Sequence, residues 1–171
     1  MKTLYLGIIL SVACSDGLMS QDKIENMTIE TIIDETFRIL SGPAGQSRDW
    51  DRFRLMFKPT AQFIVAPKDK ETGGNNLDVR SLDETIESQS SWLKDNPLFE
   101  SAIFKKVERY RHLAHVLCTY ESRKSETEMY GRGISSFQLM HDGKRWWIVN
   151  WIWLGESKED PIPAKYLSAD K

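Results

Sequence analysis

Cysteine is nearly missing from this chain of 171 residues: only Cys14 and Cys118 occur. Two cysteines cannot build the disulfide framework of a small secreted scaffold. Histidine is scarce too (His112, His115 and His141), and no His, Cys, Asp or Glu cluster has metal-ligand spacing, so no metal is expected. Neither a G-x-S-x-G elbow nor a phosphate-binding glycine loop is present, and nothing calls for a cofactor. Charge of one sign is also lacking. The formal net charge is −2, and the basic positions in Lys68-Asp69-Lys70-Glu71 and Lys105-Lys106 are interrupted by acids or bounded by apolar residues. A nucleic-acid surface needs a clustered basic excess, so that class is excluded. No apolar run approaches the roughly 20 residues of a membrane-spanning helix, and no internal repeat is found.

The longest apolar run is residues 4–14, behind Lys2 and ahead of the polar and small residues 15–17 and 20–21. That order is the n-region, h-region and cleavage region of a secretory signal. The expected organisation is a signal peptide over residues 1–20, followed by one domain over residues 21–171, exported to the periplasm or the medium. A competing reading is a lipoprotein anchored through Cys14, since Ser11-Val12-Ala13-Cys14 is close to a lipobox, with Ser11 replacing the usual large aliphatic residue. In both readings Cys14 leaves no partner for Cys118. The latter sits in an apolar stretch, residues 115–120, where a buried inert thiol is expected.

Ile24, Met27, Ile29, Ile32, Ile33, Phe37 and Leu40 recur at helical spacing, which predicts an amphipathic helix over residues 23–40. Ser41-Gly42-Pro43-Ala44-Gly45 ends it. Asp49 is placed to cap a second helix over residues 48–57, stopped by Pro59. A short strand over 61–66 and a polar loop over 67–78 follow. Ser81 with Glu84 has capping-box spacing for a third helix over 81–94. The remainder reads as four long strands, over 99–111, 113–123, 130–140 and 145–155, with the Asp142-Gly143 step joining the last two. The tail 156–171 is expected on the surface or against a partner. Helices first and strands after is the α+β pattern, with the helices on one face of an antiparallel sheet.

These elements resemble the nuclear transport factor 2-like superfamily. The most specific part is Gly131-Arg132-Gly133-Ile134, Phe137-Gln138 and the hairpin His141-Asp142-Gly143-Lys144-Arg145-Trp146-Trp147-Ile148-Val149, similar to that of the SnoaL-like and ketosteroid-isomerase-like bacterial branches. The resemblance covers residues 26–155. It implies a cone-shaped (cystatin-like) curved antiparallel sheet, three N-terminal helices closing a pocket, and often a homodimer through the outer sheet face. Members include isomerases, dehydratases and cyclases as well as proteins with no known activity, so the fold leaves the chemistry open.

Strict alternation along the last strand puts Trp146, Ile148, Asn150, Ile152 and Leu154 on one face, and Trp147, Val149, Trp151 and Trp153 on the other. The resemblance points the first set inward, which leaves Trp147, Trp151 and Trp153 to cover an outer face. An exposed aromatic face wants a partner, and a symmetric homodimer supplies one. Candidate ligand contacts are Trp50, Arg52, Arg132, Gln138, Trp146 and Asn150. Candidates for acid–base catalysis are His112, His115 and Tyr120. The expected function is a pocket for a small apolar or amphipathic ligand. The alternatives are a cofactor-independent isomerase, dehydratase or cyclase, and a protein-interaction module without ligand.

Overall fold

The computed structural model describes residues 24–65, 74 and 76–167. The expected leader with Cys14, most of the loop over 67–78 and the last four residues lie outside the described residues. The element order is α1 (Ile29–Leu40), α2 (Trp50–Met56), β1 (Phe57–Val65), β2 (Asp78–Ser81), α3 (Leu82–Trp92), β3 (Phe99–Tyr110), β4 (Leu113–Arg123), β5 (Met129–His141), β6 (Trp146–Gly155) and a 3-10 turn, Ala164–Tyr166. No helix among the described residues is long and apolar enough to cross a membrane.

Local chemistry sets the helix starts. Thr28 caps α1 by accepting from the Thr31 amide at 3.2 Å, so the helix begins later than the apolar periodicity alone predicts. Asp49 accepts from the Arg52 amide at 2.9 Å to cap α2. At α3 the capping box is complete: the Glu84 amide donates to Ser81 Oγ at 3.2 Å, and the Glu84 carboxylate accepts from the Ser81 amide at 2.8 Å. The loop after α1 is tied by Arg48. Its buried guanidinium donates to the carbonyls of Leu40 (2.7 Å), Gly42 (2.8 Å) and Gln46 (2.7 Å). The Leu40 carbonyl is one of those left over at the helix end, and the Gly42 carbonyl also accepts from the Leu98 amide at 3.0 Å.

The strands form one six-stranded sheet in the order β2-β1-β6-β5-β4-β3. All pairings are antiparallel except β1 with β6, which is parallel. The short β2 is an element that the sequence reading assigned to loop. Ile32, Ile33 and Phe37 of α1, with Phe53 and Met56 of α2, pack on the sheet face carrying Val116, Cys118, Phe137 and Leu139. Cys118 is fully buried and its thiol is pushed up to about 12 by desolvation, so it is packing material rather than a nucleophile.

The last strand departs from strict alternation. On β5, Gln138 and Leu139 are consecutive, yet they face Asn150 and Ile148, so Val149 is an extra residue: a β-bulge. Ahead of it Trp146 and Ile148 point to the helix side and are buried. Beyond it the faces exchange. Trp151 is buried among Phe37, Phe57, Phe63 and Phe137, and Trp153 packs beside it at 5.1 Å between ring centroids. Asn150, Ile152 and Leu154 are therefore on the outer face. The expectation that Trp151 and Trp153 cover a dimer face is corrected: of the three tryptophans only Trp147 is outside. There it lies between Arg145 (3.3 Å) and Lys58 (4.4 Å) and donates to Asp142 at 2.6 Å.

The tail turns back over that outer face. Glu156 accepts from Arg132 at 3.0 Å and from the Ile162 amide at 3.0 Å. Ile162 is buried, Thr119 donates to the Tyr166 carbonyl, and Tyr166 meets Phe104 at 6.3 Å. Thr119, on the outer face, is left 1% exposed.

Replacing Trp151 with alanine is expected to cost about 3–5 kcal/mol, the usual range for emptying a large aromatic core site. Trp147→Ala should lose about 1 kcal/mol, the scale of a partly exposed cation–π contact. Urea denaturation of the two variants checks the bulge directly, since strict alternation reverses the order.

Candidate functional site

Inside the cone, between the helices and the sheet, lies a partly open cavity of about 110 Å³. Its aromatic wall is Phe37, Phe53, Tyr120, Trp151 and Trp153, with Thr85, Gln89, Glu100, Ser122 and Ser135 as polar groups. Gln89, Leu98, Glu100 and Ser122 also line the neighbouring mouth, an open depression of about 430 Å³ that Trp92 and Tyr130 flank. Those two rings meet at 5.6 Å.

The sheet register places the polar groups. Glu100 on β3 faces Ser122 on β4, and Ala102 faces Tyr120, which in turn faces Gly133 on β5. A β-carbon at position 133 would lie 2.3 Å from the Tyr120 hydroxyl, so only glycine leaves room for the phenol there. The backbone at Glu100 is held by Ser41 at the end of α1. The Glu100 amide donates to Ser41 Oγ at 2.8 Å, and Ser41 Oγ lies 3.2 Å from the Glu100 carbonyl. Ser122 donates to the Glu100 carboxyl, and Trp151 Nε1 donates to Ser135 Oγ at 3.0 Å.

Desolvation dominates the electrostatics. Burial pushes the Glu100 carboxyl up to about 7, and the single hydrogen bond from Ser122 only partly opposes this. Burial and the neighbouring Glu100 both push the Tyr120 hydroxyl well above its ordinary value. The cavity thus brings together a carboxyl group that changes charge near neutrality and a phenol that stays protonated. Diagonal neighbours on one face of the sheet, the two can hold a proton at the same wall of the cavity and can hydrogen-bond a carbonyl or hydroxyl there. Among the described residues no group of three metal-ligating side chains is found.

Of the candidates from the sequence, Tyr120 lines this cavity; the others lie elsewhere. His115 is on the outer face, 2.9 Å from Ser136 Oγ, and His112 stacks on His141 near the β3–β4 turn at 6.0 Å. Trp50 packs edge-on against Phe53 at 5.6 Å and borders a separate groove with Arg48 and Lys94. Arg52 pairs with Glu35 of α1, whose carboxyl is lowered to about 2 by Arg38 and Arg52. Arg132 holds Glu156, so it anchors the tail. Trp146 is buried at the far end of β6, beside His141 and Arg109. Gln138 and Asn150 face each other on the outer side, where Asn150 Oδ1 is buried without a hydrogen-bond partner.

The sequence reading missed Glu100. A usable signal was present: the alternation Glu100, Ala102 puts the acid on the same side as a small apolar residue, within the strand predicted to lie beside Tyr120. What that pattern could not give is the register that sets Glu100 opposite Ser122 rather than one residue away.

No family model matches the sequence, and no curated protein matches it. Similar folds are found among solved structures. A protein of unknown function with a cystatin-like fold from Nostoc punctiforme is 11% identical, covering 80% of this chain and 92% of its own, at a TM-score of 0.59. A nuclear transport factor 2-like protein of unknown function from Pseudomonas putida is 9% identical, covering 85% and 94%, at 0.56. A candidate ketosteroid isomerase from Shewanella frigidimarina is 13% identical, covering 76% and 97%, at 0.53. With helices on one face of a curved, mostly antiparallel six-stranded sheet, the chain has the nuclear transport factor 2-like, cystatin-like fold.

Proposed function

We propose that this protein is an exported ligand-binding domain whose site is the aromatic cavity beside Glu100. The observation that carries the reading is Glu100 itself. A half-buried carboxyl group whose charge is opposed by desolvation, in a cavity lined by five aromatic rings, is costly for folding alone, and its place in the lining of both cavity and mouth gives it a use. The chamber is smaller than the ~300–1,000 Å³ of pockets that bury a drug-sized molecule. It is nearer the ~150 Å³ void that takes a benzene ring. The ligand therefore puts a small head in the chamber and its body in the mouth, against Trp92 and Tyr130. Export rests on Lys2 and the apolar run 4–14.

A second reading, a cofactor-independent isomerase or dehydratase, is favoured by the proximity of Glu100 and Tyr120 on neighbouring strands. Glu100 would move a proton between two carbons while the phenol hydrogen-bonds the developing oxyanion. The candidate ketosteroid isomerase among the similar folds is compatible with this chemistry.

Homodimerisation through the outer face belongs to the same proposal, with altered contacts. Asn150 Oδ1 lacks a donor among the described residues, and Gln138 and Gln62 flank it on the neighbouring strands of the outer face. Lys106 and Glu108 pair with each other on the same face, opposite Leu117 and His115, so a second copy meeting it about a two-fold axis finds those charges already balanced.

Three outcomes check these statements. Folding holds a proton on Glu100 between pH 4.5 and about 7, where the unfolded chain releases it, so wild-type stability from this group falls as pH rises through that window. Glu100→Gln should match the wild type near pH 4 and exceed it at pH 8, read as urea midpoints at both values; equal pH profiles would remove the half-buried acid from the argument. For the enzyme reading, deuterium exchange at the α-carbon of cyclohexanone, followed by NMR in D₂O, should exceed buffer and drop about 10²–10⁴-fold in Glu100→Gln. Exchange no faster than buffer leaves ligand binding alone. For the dimer, Ile152→Glu should halve the mass seen by light scattering. An unchanged mass would rule out this face.

A further inference from the structure

The chamber holds an acid and no counter-charge. Among the described residues lining it and its mouth there is no lysine or arginine. The groups facing Glu100 can be named element by element. α1 presents Phe37, Leu40 and Ser41; α3 presents Thr85 and Gln89; β5 presents Ser135; β6 presents Trp151 and Trp153. β4 presents Tyr120, Ser122 and, further along, the Cys118 thiol, and burial keeps both the phenol and the thiol neutral. On the strand of Glu100 itself, Lys105 is paired with Asp34 of α1, and Arg48 is held by the carbonyls of the loop after α1. At the rim Lys124 is paired with Glu128.

A carboxylate in such surroundings is balanced in one of two ways: it keeps a proton, or a ligand brings the positive charge. Ring faces carry the negative end of the aromatic quadrupole, and several rings around one small space attract a cation whose hydration shell has been removed. Four of the five chamber rings belong to Phe or Trp, which offer no hydroxyl that a neutral polar head could use. We propose that the head group seated in the chamber is an organic ammonium, primary to quaternary, neutralised by Glu100 and bordered by Phe37, Tyr120 and Trp153, with Trp151, stacked between Phe57 and Phe137, as the backing of that wall. The inference rests on the reading of the cavity as a ligand site and names the class of ligand for it. The body of the ligand leaves past Leu98 and Gln89 and lies on Trp92 and Tyr130.

The probes are choline, whose charge does not vary with pH, and its uncharged carbon isostere 3,3-dimethylbutan-1-ol, each titrated into the full chain by NMR. Binding of the cation requires ionised Glu100. A carboxyl titrating at about 7 is roughly one-tenth ionised at pH 6 and nine-tenths at pH 8, so choline should bind about tenfold more tightly at pH 8. The alcohol should bind more weakly and with no rise over the same range. Glu100→Gln should erase the pH dependence and bring the two affinities together. Trp153→Leu, which keeps an apolar wall, should weaken choline more than the alcohol, and amide spectra of both variants verify that the fold is intact. If the alcohol binds as tightly as choline with a flat pH profile, the ammonium assignment is overturned while the ligand site stands. If neither probe shifts any cavity resonance, both the assignment and the ligand site are overturned.

Discussion

The bulge at Val149 is the feature on which the rest of the structure depends. One extra residue between Ile148 and Asn150 turns the second half of β6 over. Without it Asn150 and Ile152 would face the helices, and two tryptophans would stand in water. With it Trp151 meets Phe137 at 4.9 Å and Phe37 at 5.8 Å, and Trp153 extends the same wall toward Glu100. A bulge also adds local twist to the strand that carries it. β1 lies against the same strand in a parallel pairing that shifts between Phe57 and Gln62, so both neighbours of β6 accommodate the irregularity. Aromatic wall, cavity and composition of the outer face are thus consequences of one residue.

The cavity shows how a fold places a group that it would otherwise exclude. Three local restraints converge on Glu100: Ser41 holds its backbone, Ser122 holds its carboxyl, and the Gly42–Leu98 bridge fixes the chain just before it. Arg48 secures the loop that carries Gly42, and a β-carbon at Gly42 would lie 2.9 Å from that guanidinium. None of these contacts neutralises the acid. They fix its position and leave its charge to be balanced by a proton or by whatever enters. A scaffold selected for stability alone would place an apolar side chain there.

What the sequence made legible was local. Asp49 and the Ser81–Glu84 box announce their helices because a cap needs only residues within one turn. Asp142-Gly143 announces its hairpin for the same reason, and the four long strands end within a few residues of where their composition says. The resemblance supplied the layer order. What stayed hidden depends on partners far along the chain. The bulge exists because Gln138 and Leu139 pair with residues two apart, and β6 read by itself shows only alternation. β2 is too short to carry a periodic signal and is defined by pairing with Gln62 through Val65. Arg132 and Arg52 were candidate ligand contacts because an arginine at a predicted cavity edge can either hold a ligand or pair with a nearby acid. In the structure Glu156 and Glu35 had already claimed them.

The tail makes the last connection, between the outer face and the site. By covering Thr119 and Phe104 it removes one end of the outer sheet from any partner, and the open patch that remains is centred on Asn150 and Ile152. Those two residues lie immediately beyond the bulge, back to back with Trp151 and Trp153 across a single strand. A contact that presses on the outer patch therefore bears on the strand whose other side forms the cavity wall. Because close-packed interiors transmit displacement rather than absorb it, the proposed pairing of two copies and the proposed occupancy of the chamber would share one element. Any shift of β6 needed by one is felt by the other.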